Sequence, residues 1–326
     1  MLRSILSAFL LLCVLVPLTA QEPGGATDQK VPLSVQFVAT GGVLRIGQPL
    51  ALEMTIGANA EVEIPASVLS GLDLDAAIDG RKVPTVHEGP TGKVKLVPGV
   101  ALHRTFSLDP ATLWKGFDLG SARQITLDWV GLAGAHASLR VVPDQHDLDL
   151  AKLDLQKTTV RLITSKGEVV IGFMPDVAPK HVVNFITLAK DGFYDGTRFH
   201  RIISGFMAQG GDPNTKVGAT GMPGTGGSGH TIQAEFSDVK HVKGIVSMAR
   251  SASPDSASSQ FFLMHGDAPH LDGKYSAFGR ITPDTLPVLD AICGTPVRPS
   301  PQTGEPSVPT ENVWLFAAVV EPVFKQ

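Results

Sequence analysis

From Pro32 to about Pro143 the chain alternates apolar and polar positions in short runs: LSVQFVA, PLALEMTI, EVEIPA, KVKLVP, ALHRTFSL, QITLDWVG and ASLRVV. Successive side chains of a strand face opposite sides of its sheet, so a period of two marks strands with one buried face. Most of the runs are bounded by Gly, Pro, Asn or Asp, the residues that supply turns. About seven such strands in roughly 110 residues lead to an antiparallel β-sandwich of immunoglobulin-like type over residues 32–143.

The texture changes after residue 143. The segment PDQHDLDLAKLDLQK is charged and begins with Pro143, so residues 144–157 read as a linker. Beyond it TTVRLIT and GEVVIGF alternate like strands, and HTIQAEF near residue 230 has the same texture. In APKHVVNFITLAKDG the residues Val182, Phe185, Ile186, Leu188 and Ala189 approximate one helical face, with Pro179 at the start and Gly192 as the stop. A second short helix falls at about Leu286–Cys293, before a Pro-rich loop and the apolar strand NVWLFAAVV. Many strands with two helices predict a mainly β domain over 158–326, a closed barrel capped by helices.

The first twenty residues, MLRSILSAFLLLCVLVPLTA, change the picture of where this chain works. Arg3 precedes an apolar core that ends near Leu18, and the small residue Ala20 comes before a polar stretch, the order of a secretory signal peptide. That core is shorter than the roughly 18 residues of a spanning helix, so a soluble periplasmic or secreted protein is expected after cleavage, with no stable membrane insertion; Leu18, larger than the residue usual three places before the cut, leaves an uncleaved anchor as the alternative. Residues 21–31 read as a disordered leader. Cys13 sits inside the apolar core behind bulky Leu12, which argues against lipid attachment. Cys293 is then the one cysteine of the mature chain, so no internal disulfide is expected, and it reads as a buried apolar side chain.

Composition removes several classes of function. Lys and Arg number 27 against 31 Asp and Glu, a formal charge of −4 without long basic runs. Neither a nucleic-acid surface nor a membrane-surface patch is suggested. His87, His103 and His136 lack metal-ligand spacing, and no metal or cofactor is expected. The loop GTGGSGHT, Gly224–Thr231, contains Gly-x-Gly-x-x-Gly, but a phosphate-binding loop needs a strand before it and a helix after it. A hydrolase elbow centred on Ser228 fails because position 230 is His.

Two stretches carry the chemistry. RFHRIISGFMAQGGDP, residues 198–213, places Arg201 among alternating apolar residues, where an unpaired guanidinium is costly. GIVSMARSASPDSASSQFFLMHGDAPHLDGKYSAFGRI, residues 244–281, sets Gln260 before Phe261 and Phe262, which must point to opposite faces of a strand. The blocks FHRIISGFMAQGGDP, SMARS, SSQFFL and LDGKYSAFGRI, in this order, resemble the signature blocks of cyclophilin-type peptidyl-prolyl cis-trans isomerases over roughly residues 158–324.

The resemblance implies an eight-stranded antiparallel barrel, capped by two helices, with a proline-binding groove on its outer surface. It places the catalytic arginine at Arg201, and the apolar proline pocket at Phe206, Met207, Phe262 and Leu271 with Tyr275 at the rim. Gln209 and Gln260 match the amides that hold a substrate backbone, and His200 flanks the site. Ser204 stands where Pro is common, His270 where cyclosporin-sensitive members carry Trp, and Arg250 where they carry Asn. The last two departures bear on inhibitor affinity more than on catalysis. The implied activity is rotation of prolyl amides during folding of exported proteins, without nucleophile, metal or cofactor. A proline-motif binding or holdase protein would use the same groove, and Arg201 favours the enzyme because binding alone needs no donor at the amide nitrogen. The spare N–H groups of Arg201 are expected on Gln209 or a substrate carbonyl. The first domain would serve as spacer, capture surface or docking module for a protein partner.

Overall fold

The computed structural model describes residues 33–39, 43–46, 50–67, 74–83, 91–100, 102–108, 124–129, 136–216 and 218–325. The leader and His87 lie outside the described residues, as do the side chains of His103 and His136.

The seven alternating runs of the first region are strands, joined by three further ones. In chain order they are β1 (Leu33–Ala39), β2 (Val43–Arg45), β3 (Leu50–Ala58), β4 (Val62–Pro65), β5 (Leu74–Ile78), β6 (Arg81–Val83), β7 (Lys93–Leu96), β8 (Leu102–Leu108), β9 (Gln124–Trp129) and β10 (His136–Val142). They form a three-stranded sheet β1-β3-β8, a five-stranded sheet β2-β10-β9-β5-β6 and the hairpin β4-β7. All pairs are antiparallel except β2 with β10, which runs parallel. Leu44, Ile56, Ile125, Leu127 and Leu139 are almost wholly buried, so the period of two has found a core.

The second region contains β11 (Thr159–Thr164), β12 (Gly167–Phe173), β13 (Thr197–Arg198), β14 (Arg201–Ile203), β15 (Met207–Gly210), β16 (Ile245–Met248), β17 (Phe261–Met264), β18 (Ala277–Ile281) and β21 (Trp314–Glu321), with a separate hairpin of β19 (Val297–Pro299) and β20 (Pro306–Pro309). The main sheet has nine segments in the order β13-β21-β11-β12-β18-β16-β17-β15-β14. Its two ends, β13 and β14, are consecutive in sequence. Between them the Phe199 N–H donates to the Val313 carbonyl on one side, and the His200 N–H to the Gln209 carbonyl on the other. Counted as one bent strand, β13 and β14 close the ring, and nine segments become an eight-stranded antiparallel barrel. Closure leaves no free sheet edge to aggregate.

Two helices, α1 (Pro179–Lys190) and α2 (Leu286–Cys293), bury Val182, Phe185, Ile186, Leu289, Ile292 and Cys293 in the barrel interior. Burial pushes the Cys293 thiol up to about 12, so it behaves as an apolar side chain. The start of α1 has no local cap, because Ala178 offers no side-chain oxygen. Glu235 supplies one from a distance, accepting from the N–H groups of Lys180 (3.1 Å) and His181 (3.0 Å) and from His181 Nδ1 (2.6 Å). This explains why HTIQAEF is not the strand its alternation suggests. Apart from one bridge, Ile232 to Ala257, it runs as an extended loop whose His230, Gln233 and Glu235 side chains bond α1.

Residues 144–157 are packed, not free. Leu153 is fully buried, Leu148, Leu150 and Leu155 pack against the barrel core, and the Gln145 amide bonds both the N–H and the carbonyl of Val320. Val142 of β10 shares a small apolar cluster with Ile163 and Ala317 on the outside of β11 and β21. Arg45 of β2 reaches the same wall and joins Asp195 through Nε at 2.6 Å. In the closed ring β11 lies opposite β17, so the described residues of the first region lie on one wall of the barrel, the open wall being the one across the ring from it.

Candidate active site

Period-two alternation sorts the open wall into an inner and an outer face. Ile202, Ala208, Phe261 and Leu263 belong to the interior core, whereas Met207, Phe262 and Met264 belong to a second cluster outside it. Phe261 and Phe262 therefore part to opposite faces as neighbouring strand residues must. Leu271 completes the outer cluster with Ala268, Ile245 and Ala277, and Phe206, Tyr275 and Ile203 pack on it partly exposed.

Register brings the polar groups to this wall. Arg201 on β14 stands opposite Gln209 on β15, and Gln209 stands opposite Phe262 on β17. Phe206 is fixed by the turn between β14 and β15, where the His265 N–H donates to the Phe206 carbonyl at 2.8 Å and the Gly205 N–H donates to His265 Nδ1 at 2.8 Å. Gly205 adopts φ 76°, and a Cβ at Gly266 would overlap the Gly205 carbonyl, so both positions need glycine. His270 lies against Phe206 with ring centroids 5.7 Å apart, and the Arg250 guanidinium sits 4.7 Å over the Tyr275 ring.

The amides pair with each other. Gln209 Nε2 donates to Gln260 Oε1 at 2.9 Å, and Gln260 Nε2 donates to the Gly226 carbonyl at 2.8 Å. Arg201 is not held by Gln209 as expected, although the two stand opposite each other in register. Its partner is Glu305, which accepts from Nε at 2.9 Å and from Nη2 at 3.1 Å. The remaining nitrogen, Nη1, is directed at Met207 Sδ, 3.7 Å away on the apolar wall. Glu305 is held below the usual carboxylate range by its hydrogen bond to Arg201.

Burial favours the neutral form of His200 and His241 beside the wall. Burial lowers the pKa of His200, more than the nearby Asp212 raises it, and neither ring nitrogen has a hydrogen-bond partner among the described residues. Burial also lowers His241, whose Nδ1 contacts Asp272 at 3.2 Å and whose Nε2 contacts Ser247 Oγ at 3.1 Å. This Asp272–His241–Ser247 chain has the connectivity of an acyl-transfer triad. Ser247 is fully buried, however, so no substrate reaches it, and the chain braces the Phe262 ring that His241 stacks on.

All nine residues expected at the site, Arg201, His200, Phe206, Met207, Gln209, Gln260, Phe262, Leu271 and Tyr275, lie on or beside this wall. Glu305, His241 and Asp272 were not foreseen. Only the Arg201 anomaly hinted at a missing carboxylate, and nothing near Glu305 in the sequence identifies it as the partner. Among the described residues no cluster of His, Cys, Asp and Glu suits a metal ion, and no helix is long and apolar enough to cross a membrane.

Residues 159–313 match the family described as cyclophilin type peptidyl-prolyl cis-trans isomerase/CLD. A peptidyl-prolyl cis-trans isomerase of Helicobacter pylori is 45% identical over 148 residues, which cover 44% of this chain and 86% of the relative. One from Synechococcus elongatus is 44% identical over 127 residues, covering 39% of this chain and 82% of the relative. A solved Cryptosporidium parvum cyclophilin, crystallised in the presence of the dipeptide Ala-Pro, aligns with 51% of this chain and 99% of its own at 29% identity and TM-score 0.44. The chain belongs to the cyclophilin family, and its activity is that of a peptidyl-prolyl cis-trans isomerase. The first region, β1 to β10, lies outside the matched residues.

Proposed function

We propose that Arg201 Nη1 drives isomerisation of proline-containing polypeptides by donating to the prolyl nitrogen as the amide twists. The planar amide shares its nitrogen lone pair with the carbonyl, which sets a barrier of about 18–20 kcal/mol. Twisting ends that sharing and localises the lone pair. A fixed N–H then gains an acceptor that the planar ground state lacks, so it stabilises the twisted state selectively. Lowering the barrier to about 13 kcal/mol gives a rate on the order of 10³ per second.

The observation that carries this reading is the division of labour within one guanidinium: Nε and Nη2 are occupied by Glu305, while Nη1 faces the pocket side at Met207. Met207, Phe262 and Leu271, with Phe206 and Tyr275, form the apolar seat for the pyrrolidine ring. Gln209 and Gln260 offer amides to the flanking backbone, and His200 backs the arginine as a neutral filler. The peptidyl-prolyl isomerase relatives, at 44–45% identity, support a proline-containing substrate here.

The clients in this reading are exported polypeptides, on the strength of the charge, apolar core and small-residue order of residues 1–20. Mass spectrometry of the mature protein should find a chain beginning near Gln21. For the chemistry, exchange spectroscopy on an X-Pro peptide tests the assignment. Arg201→Ala is expected to lower turnover by about 10²–10³, the cost of deleting one transition-state donor, with little change in peptide affinity. Full turnover in a folded Arg201→Ala protein would leave the proline-binding or holdase reading as the better account.

A further inference from the structure

Arg201 and Glu305 are 104 residues apart in sequence and meet because the β19–β20 hairpin lies against β14. Their contact is the side-on fork, two parallel N–H donors on two carboxylate oxygens, which fixes the guanidinium plane as well as its position. An arginine without such a partner at the edge of an apolar wall would turn its head toward water. The fork prevents that and leaves one corner, Nη1, over Met207.

The hairpin is built to present this carboxylate. The Ser300 N–H donates to the Glu305 carbonyl at 2.7 Å, and the Gly304 N–H donates to the Ser300 carbonyl at 2.8 Å. Gly304 takes the positive φ of 72° that the turn requires, and the Glu305 N–H donates to Thr303 Oγ1 at 3.2 Å. Pro299 and Pro306 flank the turn and restrict its backbone. Few residues of a six-residue loop are left free to move the carboxylate.

A neighbouring negative charge has two opposed effects on a catalytic cation. It weakens the positive field at the reacting nitrogen, and it fixes the direction of the donor. Both partners are about one third exposed, 34% and 37%, so water screens much of the field term. The directional term survives screening, because a hydrogen bond to a lone pair that forms only on twisting depends on aim. Orientation therefore outweighs the loss of field.

We infer that Glu305 is a positioning residue for the isomerisation, holding Arg201 so that Nη1 is the nitrogen that meets the twisted amide. This rests on the catalytic reading of Arg201 given above. Glu305 touches no substrate itself, so its effect should pass entirely through Arg201.

Four full-length proteins test it by exchange spectroscopy on one X-Pro peptide: the parent, Arg201→Ala, Glu305→Gln and the double variant. Glu305→Gln keeps the shape but turns one of the two acceptor oxygens into an NH2 donor, so the charge-assisted fork is lost. Its kcat should fall roughly tenfold with KM nearly unchanged, as expected of a misaligned donor. Added to Arg201→Ala, the same change should do nothing further. In 15N spectra the Arg201 Nε–H signal should be resolved in the parent and exchange-broadened in Glu305→Gln. A Glu305→Gln protein with unchanged or faster kcat, beside a slow Arg201→Ala, overturns the positioning role and leaves the catalytic arginine standing. A loss of equal size in the Arg201→Ala background also overturns it, because the hairpin would then act by another route. A fast Arg201→Ala protein instead sinks the underlying reading of Arg201.

Discussion

Arg45 and Arg201 each grip both oxygens of a carboxylate through Nε and Nη2, and the third nitrogen separates their roles. Arg45 holds Asp195 through Nε and Nη2 at 2.6 and 3.1 Å, and Nη2 also reaches the Ala318 carbonyl at 3.0 Å. Its Nη1 donates to the Pro143 carbonyl at 3.0 Å, and the side chain is 6% exposed. Arg201 holds Glu305 in the same way but is 34% exposed, and among the described residues its Nη1 faces a thioether sulfur. A guanidinium with every nitrogen bonded is a joint between the first region and the barrel. One with a free corner over an apolar pocket can act on a ligand, and the difference lies in surroundings, not in residue type.

The sharpest way to break this comparison is Arg45→Met. It removes the guanidinium from Asp195 and leaves that carboxylate with the Ala318 N–H, so stability should fall by about 3 kcal/mol in urea unfolding, while turnover per folded molecule stays at the parent value. Reduced turnover at unchanged stability would show that the covered wall communicates with the groove. Leu153→Ala tests the same wall without charge. This leucine lies outside the matched family residues yet is fully buried, and its truncation should cost about 2–3 kcal/mol with isomerase activity intact. If stability did not change, residues 144–157 would be a tether after all.

On the groove side, Arg201→Lys sharpens the contrast. Lysine keeps the charge but loses the rigid fork, so turnover should lie between those of the parent and Arg201→Ala, roughly tenfold below the parent. A fully active lysine variant would show that charge, not aim, matters at this corner.

Acid should produce the smallest of these effects. His181 is fully buried, donates Nδ1–H to Glu235 and leaves Nε2 without a partner among the described residues, so burial lowers its pKa despite the carboxylate. A protonated ring would bury an unmatched N–H. Its contribution to stability is complete above the ordinary histidine value of about 6.5 and is lost as pH falls below it, by up to about 1.4 kcal/mol per pH unit per site. Burial would raise the Glu235 carboxyl, but the hydrogen bonds from His181 and the α1 N–H groups outweigh it and lower its pKa, so a second loss follows below about 4.5. Urea midpoints measured from pH 7.5 to 5 should fall, and less so in His181→Asn. A flat profile would mean that His181 protonates freely in the fold.

Much of this was legible in the chain itself. The period-two runs gave strands β1, β3, β4, β7, β8, β9 and β10, and the helix signals gave Pro179–Lys190 and Leu286–Cys293. Phe261 and Phe262 fell on opposite faces because a strand allows nothing else. Where alternation misled, at HTIQAEF, the residues were committed to distant partners that no local pattern encodes.

The sequence by itself determined the strands and helices, the apolar wall and the arginine that does not belong in it. Those are local properties: side-chain period, turn residues, and the cost of a charge among apolar neighbours. Tertiary structure alone decided which carboxylate answers Arg201, that Gln209 pairs with Gln260, and that Glu235 caps a helix some 55 residues before it. It also decided that the supposed linker is part of the barrel's packing. Hydrogen bonds and buried contacts of this kind depend on distance in space, and closing the ring through Phe199 and His200 sets those distances together.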